Sequence, residues 1–382
     1  MTWQPSPEEA WYYTLPCPSD DYSLSAWIST LRGQDRSYGR SSLPRAPFEQ
    51  RLREEYTTRD GKISLGKGGI DKQWVCYQVW DPKQGTGNEK DLVLLHGIND
   101  YGGKFAMHAK KFLDEGYRVI VPDMPSHGRS SGLHCHLPHI ELLADAVYLV
   151  LADVLLHDSK SLTPPNPSTS QTSSSTFTQS RKLFIAGQSM GGYAAVLTCL
   201  KYSSSTVSSL SPRPTVRYHP KISGGLFLCP MLEIVSTSRP SYALELIARA
   251  LASIAGPLPF ASANKGKNSE DPTIEIEFNA DPQTYHGKLR IATGLSILKG
   301  MTHLSTLLSS LEVPFKIFHG TSDRVTCPSG SKKLFEQANS KDKELQLYEG
   351  YEHVLLRKGK DEKDDEKRQR VLGDMLEWLE RH

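Results

Sequence analysis

Six residues, Gly187-Gln188-Ser189-Met190-Gly191-Gly192, lie between an apolar run, Leu183-Phe184-Ile185-Ala186, and a helical stretch that opens at Tyr193. That placement leaves the backbone few options. A strand has to turn into a helix around one serine, and only small side chains two positions before and two after it let the two arms approach. Gly187 and Gly191 meet this need. Ser189 then stands at the tip of a sharp turn above the strand end, with the Met190 N–H at a helix N-terminus. A lone Gly-x-Ser-x-Gly string is common by chance. The strand before it and the helix after it make this one specific.

The rest of the chain repeats the strand-then-helix alternation. Apolar runs of strand length, bounded by Gly, Pro or Asp, occupy residues 73–80, 92–97, 117–123, 183–189, 225–230, 315–320 and 344–348. Helical patterns fall at 105–115, 141–156 and 193–202, and a last one at 365–381 follows a charge-rich run that reads as a solvated face. Short apolar strands alternating with helices predict an α/β fold: a mostly parallel central sheet with helices on both faces. The 382 residues suit one such elaborated domain.

Four stretches divide it. Residues 1–55, rich in Pro, Ser, aromatics and charge, read as an N-terminal extension packed around the core. Residues 56–230 form the first part of the core. Within it, 158–181 is dominated by Ser, Thr and Pro and reads as a mobile insert, because it has too little apolar surface to offset its ordering entropy. Residues 231–300 read as an inserted helical cap. Its strongly apolar stretch 242–255, ended by Gly256-Pro257, follows a strand at the carboxyl edge of the sheet, where it can roof a pocket. Residues 301–382 complete the core.

A serine hydroxyl is a weak nucleophile and needs an adjacent base. In a fold of this kind the chain order is serine, acid, histidine. Asp323 follows the late strand at 315–320, and His353 follows the last one, in the run Tyr348-Glu349-Gly350-Tyr351-Glu352-His353. Ser189, Asp323 and His353 are therefore the expected catalytic residues, with Asp323 fixing the imidazole tautomer. Acyl transfer also needs donors for an oxyanion. The Met190 N–H is one; the other is assigned to the Ile98 N–H, just after the strand that ends in His96-Gly97. His96 and His319 read as structural, and Asp123 as part of a shaping loop.

Other chemistries find less support. The formal net charge is +2, with Lys and Arg spread along the chain, so no nucleic acid is expected. His134, Cys135, His136 and His139 crowd together, but Pro138 breaks the helix that would align their rings, and no metal or other cofactor is expected. None of the six cysteines forms a Cys-x-x-Cys pair. The N-terminal residues lack the basic and apolar regions of a secretory signal, and no run of about 18 apolar residues could span a bilayer. The expected location is cytoplasmic, with peripheral contact on membranes or lipid droplets through the apolar cap helix.

At these residues the chain resembles the monoglyceride lipase family of α/β-hydrolases. The resemblance rests on His96-Gly97, on Ser126-His127-Gly128-Arg129-Ser130, on Gly187–Gly192 and on Tyr348–His353, and it covers about residues 60 to 380. Asn279-Ala280-Asp281-Pro282 is similar to the segment that closes the family's cap. The resemblance implies a serine esterase acting on long-chain acyl esters, most simply monoacylglycerols, as a lipid or other apolar ester partner. It also places Asp100 and Lys104 where members often carry Glu and Arg, and Phe278 and Leu356 where the animal enzymes carry a Tyr and a second His that meet glycerol. These four are the expected substrate-binding residues. Two apolar replacements make the alcohol side less selective for glycerol. A carboxylesterase or an acyltransferase acting on a non-glycerol ester is the alternative reading.

Overall fold

The computed structural model describes residues 3–18, 36–66, 73–161, 179–204, 207, 214–235, 241–261, 266–359 and 361–382. The centre is an eight-stranded sheet. Its strands are β1 (Thr58–Ser64), β2 (Trp74–Trp80), β3 (Lys90–Leu95), β4 (Arg118–Pro122), β5 (Lys182–Gln188), β6 (Gly224–Leu228), β9 (Phe315–Gly320) and β10 (Lys343–Tyr348). The remaining pair, β7 (Pro259–Ala261) and β8 (Leu289–Arg290), forms a small separate ribbon.

The spatial order is β1-β2-β4-β3-β5-β6-β9-β10. β2 runs antiparallel to both β1 and β4, and every other pair is parallel. The pleat sends alternate residues to opposite faces. Val93, Leu95 and Ile185 enter one apolar cluster, beneath helices Leu142–Ser161 and Met190–Ser203. Leu92, Leu94, Phe184 and Ala186 enter the other, beneath helices Ala106–Asp114 and Glu362–Arg381. Trp378 of the last helix is fully buried, edge-on to Phe184 at 5.8 Å. Both faces are thus covered, as the uniformly apolar strands required.

Parallel pairing also levels the strand ends. Leu95 lies opposite Gly187, Gln188 opposite Leu228, Leu228 opposite Phe318, and Gly320 opposite Tyr348. The loops that follow β3, β5, β9 and β10 therefore emerge side by side at the carboxyl edge, where open α/β sheets bind ligands.

Several elements differ from the sequence expectation. β1 was not foreseen as a strand, because Thr-Arg-Asp-Gly-Lys-Ile-Ser is polar and only one neighbour pairs with it. The helix expected at 141–156 runs on to Ser161, since Asp158 is tied to Arg118, which also holds Asp91. The first residues of the 158–181 insert are therefore helical; 162–178 lie outside the described residues. The boundary at 300 falls inside helix Ile291–Ser305, whose Ile297, Met301 and Leu304 pack into the core cluster. The extension to residue 55 contains helix Pro47–Glu55, which buries Leu52 under the sheet.

Candidate functional site

β5 ends at Gln188 and helix Met190–Ser203 begins one residue later. Ser189, between them, has φ 56° and ψ −116°. A non-glycine residue in that region costs about 1–3 kcal/mol and persists only where its surroundings over-determine it. They do so here. The Ser189 N–H donates to the Leu228 carbonyl at 3.0 Å, and the Ser189 carbonyl accepts from Tyr193 and Met231 N–H groups, each at 3.0 Å. A Cβ on Gly187 would lie 2.1 Å from the Gly191 carbonyl oxygen, and one on Gly191 would lie 2.0 Å from that of Leu95. Gly191→Ala is accordingly expected to push the helix start away from β3 and to cut ester turnover about a hundredfold, since a displacement near 1 Å at a reacting group has that effect. Steady-state kinetics beside thermal melting would check this; a variant turning over at the wild-type rate would contradict it.

Asp323 lies just beyond β9, and His353 beyond β10. The His353 Nδ1–H donates to Asp323 Oδ2 at 2.7 Å. Further donors to this carboxylate come from its own loop and strand. Val325 and Thr326 N–H groups reach Oδ1 at 2.7 and 2.9 Å, and the Thr326 hydroxyl reaches Oδ2 at 2.8 Å. His319 Nε2 lies 3.2 Å from Oδ2 and 3.3 Å from the Thr326 carbonyl. Both neighbours are acceptors, so Nε2 carries the ring proton, and Nδ1 accepts from the Ser331 hydroxyl at 2.7 Å. Burial alone would raise the Asp323 carboxyl, but His353, His319 and the Val325 N–H together hold it far below the usual carboxylate range. Asp323 is thus a permanent anion beside the imidazole.

The loop after β3 comes close to the serine: a Cβ on Gly97 would meet the Ser189 Cβ at 3.5 Å. Neither the Ile98 N–H nor the Met190 N–H has an acceptor among the described residues. His96 shapes this loop. Its Nδ1–H donates to the Gly97 carbonyl at 2.8 Å while Nε2 accepts the Met124 N–H at 2.9 Å. Burial pushes its pKa down against the pull of Asp100, which suits a neutral ring. Asp123 shapes the neighbouring loop, accepting the Gly102 and Arg129 N–H groups, each at 2.8 Å.

These loops open on one cavity of about 900 Å³. Ser189, His353 and Ile98 line it, as do Asp100, Lys104, Phe278 and Leu356. Asp323 and Met190 do not; they stand behind His353 and Ser189. Ser189 Oγ and the His353 ring share the cavity without a hydrogen bond between them, a contact that commonly tightens only when substrate binds. Lys104 pairs with Asp100 at 3.6 Å and sits 4.4 Å above the Phe278 ring. Burial raises the Asp100 carboxyl, opposed by Lys104 and then His96. Leu244 and Ala248 of helix Tyr242–Ala255 line the outer wall, together with Ile274 and Glu277 of helix Pro272–Ala280.

Sequence reasoning missed the partners of the acid. His319 reads as a strand residue, and nothing in one dimension tells that its ring reaches Asp323. Thr326 left a trace: in Asp323-Arg324-Val325-Thr326 an aspartate capping the N–H groups two and three residues on is a familiar turn pattern. Cys229 Sγ, an Asp323 oxygen and a His353 ring nitrogen lie within 4.8 Å of one another, the one grouping of possible metal donors among the described residues. Burial pushes the Cys229 thiol well up, helped by Asp323, so it stays protonated and is a poor ligand. His134, His136 and His139 are not gathered into any such group.

The profile of the Hydrolase_4 family, described as serine aminopeptidase S33, matches residues 87–360. The chain belongs to the Hydrolase_4 family. This hydrolase is 28% identical over 292 residues to the caffeoylshikimate esterase of Arabidopsis thaliana, covering 76% of this chain and 77% of that one. It is 25% identical to the human monoglyceride lipase, covering 75% of this chain and 81% of the relative. Among solved structures, a soluble variant of the Saccharomyces cerevisiae monoglyceride lipase superposes with a TM-score of 0.61 at 20% identity, covering 84% and 94% of the two chains, which shows the α/β-hydrolase fold. The chain is a monoglyceride-lipase-like carboxylic ester hydrolase.

Proposed function

We infer that this hydrolase cleaves carboxylic esters with apolar acyl chains, most readily monoacylglycerols, through an acyl-enzyme on Ser189. His353 takes the Ser189 proton as Oγ attacks the carbonyl carbon. The Ile98 and Met190 N–H groups hold the developing oxyanion. Collapse expels the alcohol, which leaves with the proton from His353. Water, deprotonated by His353, then releases the acid and restores Ser189. Asp323 keeps Nδ1 protonated throughout. The observation that carries this reading is the convergence of three separate strand ends on one cavity, with a 2.7 Å Asp323–His353 bond behind it.

Residues 231–300 act as the cap in this reading, seated on the two-part core of 56–230 and 301–382. Tyr242, Leu246 and Ile247 on the cap helix are 82, 57 and 52% exposed. An apolar face turned to water on an amphipathic helix is suited to a lipid surface. Among the described residues no helix is long and apolar enough to cross a membrane, so contact of this kind is peripheral. Leu246→Glu is expected to lower turnover of vesicle-dispersed monooleoylglycerol about fivefold or more, through lost apolar burial and repulsion from anionic lipid, and to leave a soluble butyrate ester untouched. Equal losses on both substrates would remove the membrane role.

Phe278 and Leu356 support a second reading, a carboxylesterase or acyltransferase for a non-glycerol ester. Leu356 is only 5% exposed, and the Phe278 ring already carries Lys104, so neither offers glycerol a hydrogen-bonding group. The decisive experiment compares monooleoylglycerol with p-nitrophenyl esters of increasing chain length, with and without a competing alcohol. Strong glycerol-ester cleavage supports the first reading. Cleavage of nitrophenyl esters alone, or transesterified product, supports the second.

A further inference from the structure

Tyr12 lies far upstream of the region that matches the family, in the short helix Ala10–Tyr13, yet it is fully buried. Its hydroxyl donates to Asp281 Oδ1 at 2.8 Å. Tyr101, three residues beyond Ile98, donates to the other oxygen, Oδ2, also at 2.8 Å. The Gln283 N–H adds a bond to Oδ1 at 3.0 Å, and Gln283 Nε2 donates back to the Tyr12 oxygen at 2.8 Å. Asp281 is 2% exposed and immediately follows helix Pro272–Ala280, which carries Phe278. Three segments distant in sequence therefore meet on one buried carboxylate: the N-terminal helix, the base of the cap, and the loop that holds Ile98, Asp100 and Lys104. A further contact runs between the last two, from the Tyr285 N–H to the Asn99 carbonyl at 2.9 Å.

We propose that Tyr12 is a positioning residue that sets the alcohol side of the pocket by fixing the Asp281 end of the cap against the Asp100–Lys104 loop. A buried carboxylate binds its donors in a definite geometry, and removing one leaves the others to rearrange. Phe278 stands three residues before Asp281, and Lys104 three after Tyr101. Their cation–π contact spans the same joint, so a shift at Asp281 changes the width between them. Burial and then the Asp281 charge push both phenols far above their ordinary pKa, so both remain donors at any working pH. The N-terminal segment acts as a strap, tightening discrimination among alcohols while the acyl side and the serine are untouched. The proposal rests on the ester-hydrolase reading of this cavity.

The test is Tyr12→Phe, which removes one oxygen and keeps the ring. Decanoate esters of glycerol, ethanol and p-nitrophenol share one acyl chain and differ only in alcohol. Active enzyme is counted by labelling Ser189 with a fluorophosphonate, and melting is followed in parallel. The expected result is a change of about fivefold or more in the ratio of kcat/KM values between the glycerol and p-nitrophenyl esters, carried by KM, with kcat within about twofold. A purely structural Tyr12 would lower the melting temperature or the active fraction and leave that ratio alone, which would overturn the proposal. Should Tyr12→Phe not fold, Asp281→Asn weakens the same Tyr12 bond by giving its hydroxyl a neutral amide in place of the carboxylate, and the same ratio decides. Ser189→Ala run beside them separates the two levels: turnover that survives it defeats the esterase reading, whereas an unmoved ratio with Ser189-dependent turnover defeats only the strap.

Discussion

Ser189→Ala is expected to abolish hydrolysis of every ester the wild type cleaves, lowering kcat by about ten-thousand-fold or more while substrate binding changes little. The size follows from the chemistry. Alanine has no oxygen to attack with, so the acyl-enzyme route is closed. What remains is water acting in a site that still orients the ester and offers two N–H donors to the oxyanion. The substitution is also structurally mild. The elbow is held by the backbone of residue 189, through Leu228, Tyr193 and Met231, and no hydrogen bond from its hydroxyl takes part. Folding and melting temperature should therefore stay close to wild type. Burst kinetics with a p-nitrophenyl ester and covalent labelling with a fluorophosphonate would read the result. Residual turnover above a few per cent would assign the nucleophile elsewhere.

The second large effect is expected from Asp323→Asn, a loss in kcat of about a thousand- to ten-thousand-fold. An amide in place of the carboxylate stops holding the Nδ1–H tautomer of His353 and stops stabilising the imidazolium that forms when Ser189 gives up its proton. The amide NH2 also meets a site made of donors: Val325 and Thr326 N–H, the Thr326 hydroxyl, and the two imidazoles. At least one becomes unsatisfied, so stability falls as well. The pH dependence has a definite sign. The Asp323 carboxyl is held far below its ordinary value in the folded protein. It therefore contributes stability that is fully present above the unfolded carboxylate pKa near 3.9, and that stability is lost as pH falls below it. In Asp323→Asn this part of the acid slope should vanish, and melting temperature should depend less on pH between about 5 and 2. The acid limb of wild-type activity should likewise not reflect Asp323, which stays ionised wherever the protein is folded. A variant with unchanged kcat, or with an unchanged acid slope of stability, would contradict the role given to this residue.

Much of the architecture could be read from the chain, because parallel strands buried on both faces are short, uniformly apolar and sharply bounded. β5 and β9 are of this kind, and their residues are almost all buried. β1 and the small β7–β8 ribbon were missed for the opposite reason. Their residues are polar or few, and what makes them strands is the neighbour they pair with. Asp323 and His353 could be proposed because each follows a legible strand. His319, Thr326 and Tyr12 could not be given their parts, since each acts through a partner that only folding brings near. For Tyr12 that partner is 269 residues away.

The sequence by itself determined the alternation of strand and helix, the elbow around Ser189, and the order serine, aspartate, histidine along the chain. These are local properties: side-chain size, periodicity, and the positions of glycine and proline act within a few residues. Tertiary structure decided how the strands line up, which donors surround the Asp323 carboxylate, and how the N-terminal segment reaches Asp281. Those outcomes depend on sheet register and on burial, and a buried carboxylate takes its hydrogen bonds from whichever segments the fold packs against it, however distant they are along the chain.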